Sequence, residues 1–203
     1  CQSGFSMDMG IIDVRLLHEI IEDRPDPYES VDAIVGDFEQ AVYRRTREGI
    51  DRRRRHIEQM AQTAPFPFTS ACCRGSVEKA ADYLEAMPYP DVYGLFIRGT
   101  TNAINALAAI EEETFNEKRT QLSALLQGLR EGNGEIRARL LSAPKWGRAD
   151  DRADRWGVRL SKARQEGIDR AAAERDVPRI PVCHVVRSLH YVDGRGFGAS
   201  ADG

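Results

Sequence analysis

The stretch VYGLFIRGTTNAINALAAIEEETF, residues 92–115, decides how this chain folds. Its opening VYGLFI is β-branched, aromatic or apolar and uncharged, and it reads as extended chain. Gly99-Thr100-Thr101-Asn102 then opens a helix along which Ile104, Leu107, Ala108 and Ile110 recur at helical spacing.

Working outward, the same alternation of helix and short extended piece recurs. Upstream, Ile12, Leu16, Leu17, Ile20 and Ile21 predict a helix over residues 11–21, broken by Asp23-Arg24-Pro25-Asp26-Pro27. Ser30 is placed to cap a long helix whose apolar stripe runs through Val31, Ile34, Val35, Phe38, Val42, Ile50, Ile57 and Met60 and ends at Thr63-Ala64-Pro65. PFPFTSA (residues 65–71) is too rich in proline for a helix interior and reads as extended, followed by a helix over residues 77–87.

Downstream, Leu122, Leu125, Leu126 and Leu129 predict a helix that ends at Glu131-Gly132-Asn133-Gly134, and Ile136, Leu140 and Leu141 predict a brief successor. A polar helix is expected over residues 150–174. RIPVCHVVRSL (residues 179–189) has the content of a buried strand, and the last fourteen residues read as loop. The fold class is therefore α/β and predominantly helical. Its few strands are expected to find no partners within the chain and to belong to a sheet completed elsewhere, because unpaired backbone groups are costly.

With 203 residues, 41% apolar and 30% charged, the composition is that of a globular protein. No apolar run approaches the roughly 20 residues that cross a bilayer, and residues 1–10 lack the pattern of a signal peptide. A net charge of −3 gives no general reason to expect a nucleic-acid or membrane partner. Four cysteines without metal-ligand pairing fit a reducing cytoplasm. The chain opens on Cys1 and stops at Ala201-Asp202-Gly203, and it reads as an internal piece of a longer protein.

Several features invite a chemical reading. RRTREGIDRRRRH, from Arg44 to His56, is the densest run of charge, but Glu39, Glu48, Asp51 and Glu58 are interspersed and no aromatic residues interleave for base stacking. It is expected to be a paired helix face. Its rival role is that of a helical module docking on an acidic protein or on nucleic acid. Cys72-Cys73 beside Arg74 offers a reactive dithiol, with burial as small apolar residues the preferred expectation. Cys183 and His184 are adjacent on a strand and so point to opposite faces, which disfavours a shared metal. His18 and His56 sit on helices without a nucleophile nearby, and the glycine clusters at residues 132–134 and 194–198 read as turns rather than phosphate cradles.

Taken in order, four stretches resemble the glycyl radical enzymes of the pyruvate formate-lyase type, especially their diol dehydratase and decarboxylase branches. TAPFPFTSA (residues 63–71) with SVEKAADY (residues 76–83) is similar to the family's proline-phenylalanine strand and its lysine-containing helix. GTTNAINALAAIEEETF (residues 99–115) resembles the helix carrying an SLAAIKK-type run. LLSAPKWGRADDRAD (residues 140–154) resembles the proline-lysine-aromatic-glycine turn, and DGRGFGASADG (residues 193–203) resembles a DGR turn ending in ADG.

The resemblance implies that residues 1–203 are part of a ten-stranded α/β barrel, a partial catalytic domain lacking the C-terminal glycine radical domain. In this family a glycyl radical turns a cysteine into a thiyl that abstracts hydrogen from a substrate C–H bond, and C–C or C–O cleavage follows in a lyase, dehydratase or decarboxylase reaction of anaerobic metabolism. The GCVE-like motif that pairs the cysteine with a glutamate base is absent, since Cys1 is followed by QSG. Cys1 is either the thiyl residue or part of the loop just after it. Asp8 is then the natural substrate contact on that loop, and Cys183 falls at a strand position that faces substrate in relatives.

No cofactor is expected on this segment. The radical glycine, in an RVSGY-like motif, would lie beyond Gly203, installed by an iron–sulfur, S-adenosylmethionine-dependent activating enzyme. The implied partners are that enzyme and a small-molecule substrate, with a homodimer as one assembly the family allows and neither nucleic acid nor membrane involved. The missing glutamate also leaves open a degenerate member that kept the scaffold and lost the chemistry.

Overall fold

The structure, a computed structural model, describes residues 6–24, 28–86, 93–177, 180 and 182–184. Three strands, β1 (Ser6–Ile12), β2 (Tyr93–Arg98) and β3 (Val182–His184), form one sheet in the order β1-β2-β3. Both neighbouring pairs are parallel. The strands therefore do find partners within the chain, contrary to the expectation from sequence. Parallel pairing needs long crossovers, and the two helical stretches supply them.

The first crossover holds α1 (Asp13–Asp23), α2 (Val31–Thr63), α3 (Pro67–Cys72), α4 (Ser76–Lys79) and α5 (Tyr83–Ala86). The second holds α6 (Thr100–Ile110), a π-helical turn at Glu111–Asn116, α7 (Leu122–Arg130), α8 (Gly134–Ser142) and α9 (Asp151–Glu174). Three caps that the side chains themselves build fix where helices begin. Ser30 accepts from the Ala33 amide at 3.2 Å, Asn133 from the amides of Glu135 and Ile136, and Asp150 from that of Arg152.

Several sequence expectations are corrected, among them the single helix over residues 77–87, which is broken at Ala80 into α4 and α5. Residues 11–12 finish β1 instead of starting a helix, because pairing with β2 carries the strand through Ile12 and α1 starts only at Asp13. Residues 67–71 lie in α3, not in an extended piece. Pro67 occupies the first turn, where a missing N–H costs nothing. Cys72 is exposed and Cys73 half-buried, so neither is the buried apolar residue expected.

The core lies between the sheet and a layer built on α2, α6 and α9. From α2 come Ile34, Val35, Phe38, Val42 and Ile50, each fully buried. Helix α6 is apolar nearly all round, with Ala103, Ile104 and residues 106–110 buried, as befits a helix enclosed by others. Helix α9 presents Ala153, Leu160, Ala163, Gly167, Ile168 and Ala171. These small residues let α2 approach closely, and polar contacts then set the register: Asp32 with Arg159, Glu39 with Arg170, Asp51 with Arg175, and the Arg170 guanidinium over the Tyr43 ring at 4.2 Å.

The run from Arg44 to His56 belongs to this layer. Arg45 pairs with Glu19 at 2.6 Å, Arg47 with Glu174 at 3.5 Å, Arg54 donates to the Arg175 carbonyl at 2.9 Å, and Arg53 is buried. These partners stand on α1 and at the end of α9, and of the interspersed carboxylates Glu39 and Asp51 reach out to Arg170 and Arg175 instead, so the face is an interhelical one.

The π-helical turn carries Glu113, whose side chain is 5% exposed. Its carboxylate accepts from Thr120 at 2.8 Å and from Arg139 at 2.9 Å, tying α6 to the start of α7 and to α8. Burial alone would raise its pKa, but the Thr120 hydroxyl and the Arg139 guanidinium outweigh burial and hold it below the usual glutamate value. A depressed folded-state pKa contributes stability above the unfolded value, about 4.3, that is lost as pH falls through the folded one. Glu113→Gln is thus expected to cost at least about 1 kcal/mol at pH 7, with the gap to wild type closing below roughly pH 4.3. Urea titrations across that range would check it, and a gap independent of pH would refute the assignment.

Candidate functional site

A strand alternates its side chains between the two faces of a sheet, and here the faces differ. Met9, Ile11, Leu95 and Ile97 are at most 5% exposed and join the core cluster with the helices. Helix α2 lies directly on that face, since a Cβ at Gly49 would stand 3.0 Å from the Met9 sulfur. The other face holds Gly10, which is exposed, and Phe96 and Arg98, which are half-buried.

The residues that the sequence singles out fall on these strands. Cys183 is the register partner of Phe96, and Phe96 that of Gly10, so Gly10, Phe96 and Cys183 form one row across the three strands. Neighbouring strands run about 4.8 Å apart, which puts the outer members of the row roughly 10 Å from each other. Asp8 lies on β1 just before that row, within a shift of register between Ser6 and Met9. Such bulges re-aim a strand and are common beside active sites. Cys1 lies outside the described residues. The fold thus brings the Asp8 stretch and Cys183 onto one small sheet.

Beyond the strand ends stands a node that sequence reasoning missed. Asp13, the first residue of α1, is fully buried and accepts from the Thr100 hydroxyl at 2.7 Å. It also pairs with Arg164 of α9, which is 4% exposed and also reaches the Thr100 oxygen at 3.4 Å. Asp13 follows β1, and Thr100 starts α6 just after β2, so the node binds the carboxyl ends of two adjacent parallel strands to the helix layer. Arg98, the last residue of β2, stands two positions before Thr100. No motif in the sequence marks either feature.

The model of a family described as pyruvate formate lyase-like matches residues 22–188. No curated protein matches the chain by sequence. Among solved structures, the glycerol-bound form of the B12-independent glycerol dehydratase from Clostridium butyricum superposes with a TM-score of 0.73 at 18% identity, covering 95% of this chain and 26% of that one. Hydroxyproline dehydratase from Clostridioides difficile, with trans-4-hydroxy-L-proline bound, gives 0.72 at 20% identity, over 95% of this chain and 27% of the other. A glycyl radical enzyme from Archaeoglobus fulgidus gives 0.70 at 17%, over 94% and 26%. The chain spans about a quarter of the length of these structures, and at such identities the likeness is one of fold.

Proposed function

The chain belongs to the pyruvate formate lyase-like family, and on that premise we propose that it is one sector of a glycyl radical enzyme acting on a small organic substrate by thiyl-initiated C–H abstraction and C–O or C–C cleavage. The observation that carries this reading is the two-faced parallel sheet. Parallel sheets are generally covered on both faces, and here the helices cover one while Gly10, Phe96 and Arg98 occupy the other. In a barrel with helices outside, that second face turns inward to the substrate.

Each residue then has a role. Cys1 lies at or just after the thiyl cysteine, on the segment that enters β1. Asp8, at the bulge, and Cys183, in the row with Gly10 and Phe96, contact substrate. A barrel excludes water and oxygen and fixes the reacting atoms, which a thiyl requires if it is to select one C–H bond. The radical glycine supplies the hydrogen-atom acceptor that generates the thiyl. It belongs to a part of the protein outside residues 1–203 and is installed by an S-adenosylmethionine-dependent, iron–sulfur activating enzyme. The dehydratases among the structural neighbours favour elimination of water over decarboxylation. No helix among the described residues is long and apolar enough to cross a membrane, and a cytoplasmic location accords with that.

The test is spectroscopic. The full-length gene product, activated under anaerobic conditions, should give an organic radical signal by electron paramagnetic resonance. A silent spectrum, with the activating enzyme cleaving S-adenosylmethionine in the same tube, would overturn the proposal.

A further inference from the structure

We propose that Arg98 anchors an oxoanion, so that the substrate carries a carboxylate or phosphate group; this rests on reading the Gly10–Phe96 face as the substrate side. Arg98 ends β2, and in parallel α/β sheets ligands gather at the carboxyl ends of the strands. Its parity is that of Phe96 and opposite to that of Leu95 and Ile97, which puts it on the face away from the helices.

The guanidinium also lies along the sheet. Its Nη2 lies 3.8 Å from where a Cβ of Gly10 would stand, so the side chain folds across β1 along the sheet instead of reaching out from the strand end. A Cβ at position 10 would be in ordinary van der Waals contact with this guanidinium and with the Phe96 carbonyl oxygen, both 3.8 Å away, so the arginine lies over Gly10 without crowding it. Arg98 already takes part in an interaction within the chain. Its five N–H donors in a planar fork leave capacity for a second acceptor.

The helix that follows contributes charge of the matching sign. Directly after Arg98, Gly99 adopts φ +71° and caps α6 without a side-chain hydrogen bond, so the amide end of an 11-residue helix adds partial positive charge beside the arginine. The nearby Asp13 carboxylate is compensated by Arg164.

Calorimetric titration of the full-length, unactivated protein tests the idea. The probes are acetate, lactate, succinate and inorganic phosphate, against the neutral propane-1,2-diol and acetamide. At least one oxoanion should bind, and the carboxylate and phosphate arms tell which group is preferred. Arg98→Gln should weaken that binding roughly 10- to 100-fold. Arg98→Lys, which keeps the charge but loses the fork, should weaken it less. Thermal melts establish that each variant is folded, and if the glutamine variant is not, weakened binding by folded Arg98→Lys carries the test. Binding of no oxoanion by wild type, binding of the neutral probes only, or unchanged affinity in the folded variant would overturn the proposal. The radical signal of activated wild type is read separately, so loss of this anchor and loss of the parent reading are distinguishable.

Discussion

Arg164→Met should lower the unfolding free energy of this chain by about 3–5 kcal/mol, because it takes a guanidinium away from a carboxylate that stays buried. Asp13 is fully buried and the Arg164 side chain is 5% exposed, so neither charge can turn to water without opening the junction of α1, α6 and α9. The Thr100 hydroxyl, at 2.7 Å, cannot replace a full positive charge. The exposed pairs of the same helix layer set the contrast: removing Arg159 from Asp32 should cost about 0–1 kcal/mol. Replacing both members, as Asp13→Leu with Arg164→Met, should recover most of the loss, since a buried pair exchanged for apolar groups of similar volume is often neutral. Denaturant titrations of the two single variants and the double would measure the coupling. A double variant no more stable than the worse single would mean that the node matters for its shape and not for its charges.

This node also explains what the sequence could and could not disclose. The α2 and α6 helices were legible because the apolar residues along them recur at helical spacing and because Ser30 stands where a cap should, and α9 was legible as a long polar helix. The strand–helix junctions were not. Ile11 and Ile12 fit the helical spacing of Leu16 and Ile20 as well as they fit a strand, and only pairing with β2, over eighty residues away, decides between them. Pro67 misled for a local reason: proline argues against a helix interior but suits a first turn, and the two cannot be told apart until the helix start is known. Asp13 and Arg164 are separated by 151 positions, and with residues 11–21 read as one helix Asp13 passes for an ordinary acid of the first turn. The placements of Asp8 and Cys183 came from family resemblance, and the sheet adds their register. Arg98 went unnoticed because an arginine at a strand end is expected to point into water, and it takes the three-dimensional neighbour Gly10 to show otherwise.

The second large effect is expected at Gly167, where α9 crosses α2. A Cβ there would stand 2.7 Å from the Glu39 carbonyl oxygen, 3.1 Å from the Tyr43 nitrogen and 3.2 Å from the Val42 Cβ. Two of these are backbone atoms of a 33-residue helix, so no rotamer change relieves the clash and the helices must separate. Gly167→Ala should therefore destabilise by about 2–3 kcal/mol, as overpacking does, although alanine in a helix interior would by itself gain about 1 kcal/mol. Gly128 in α7 provides the control. Its added methyl meets chiefly Cδ1 of Ile136, the far end of a side chain that can rotate away, so Gly128→Ala should stay within about 1 kcal/mol of wild type. The two substitutions are chemically identical and differ only in whether backbone or a flexible tip lies opposite. Widening the α2–α9 contact would also draw the Arg170 guanidinium off the Tyr43 ring, 4.2 Å away, which tyrosine fluorescence and thermal melts of the two variants would register together. Equal stability of the two variants would show that the α2–α9 crossing has slack, and the small residues along α9 would then need another explanation.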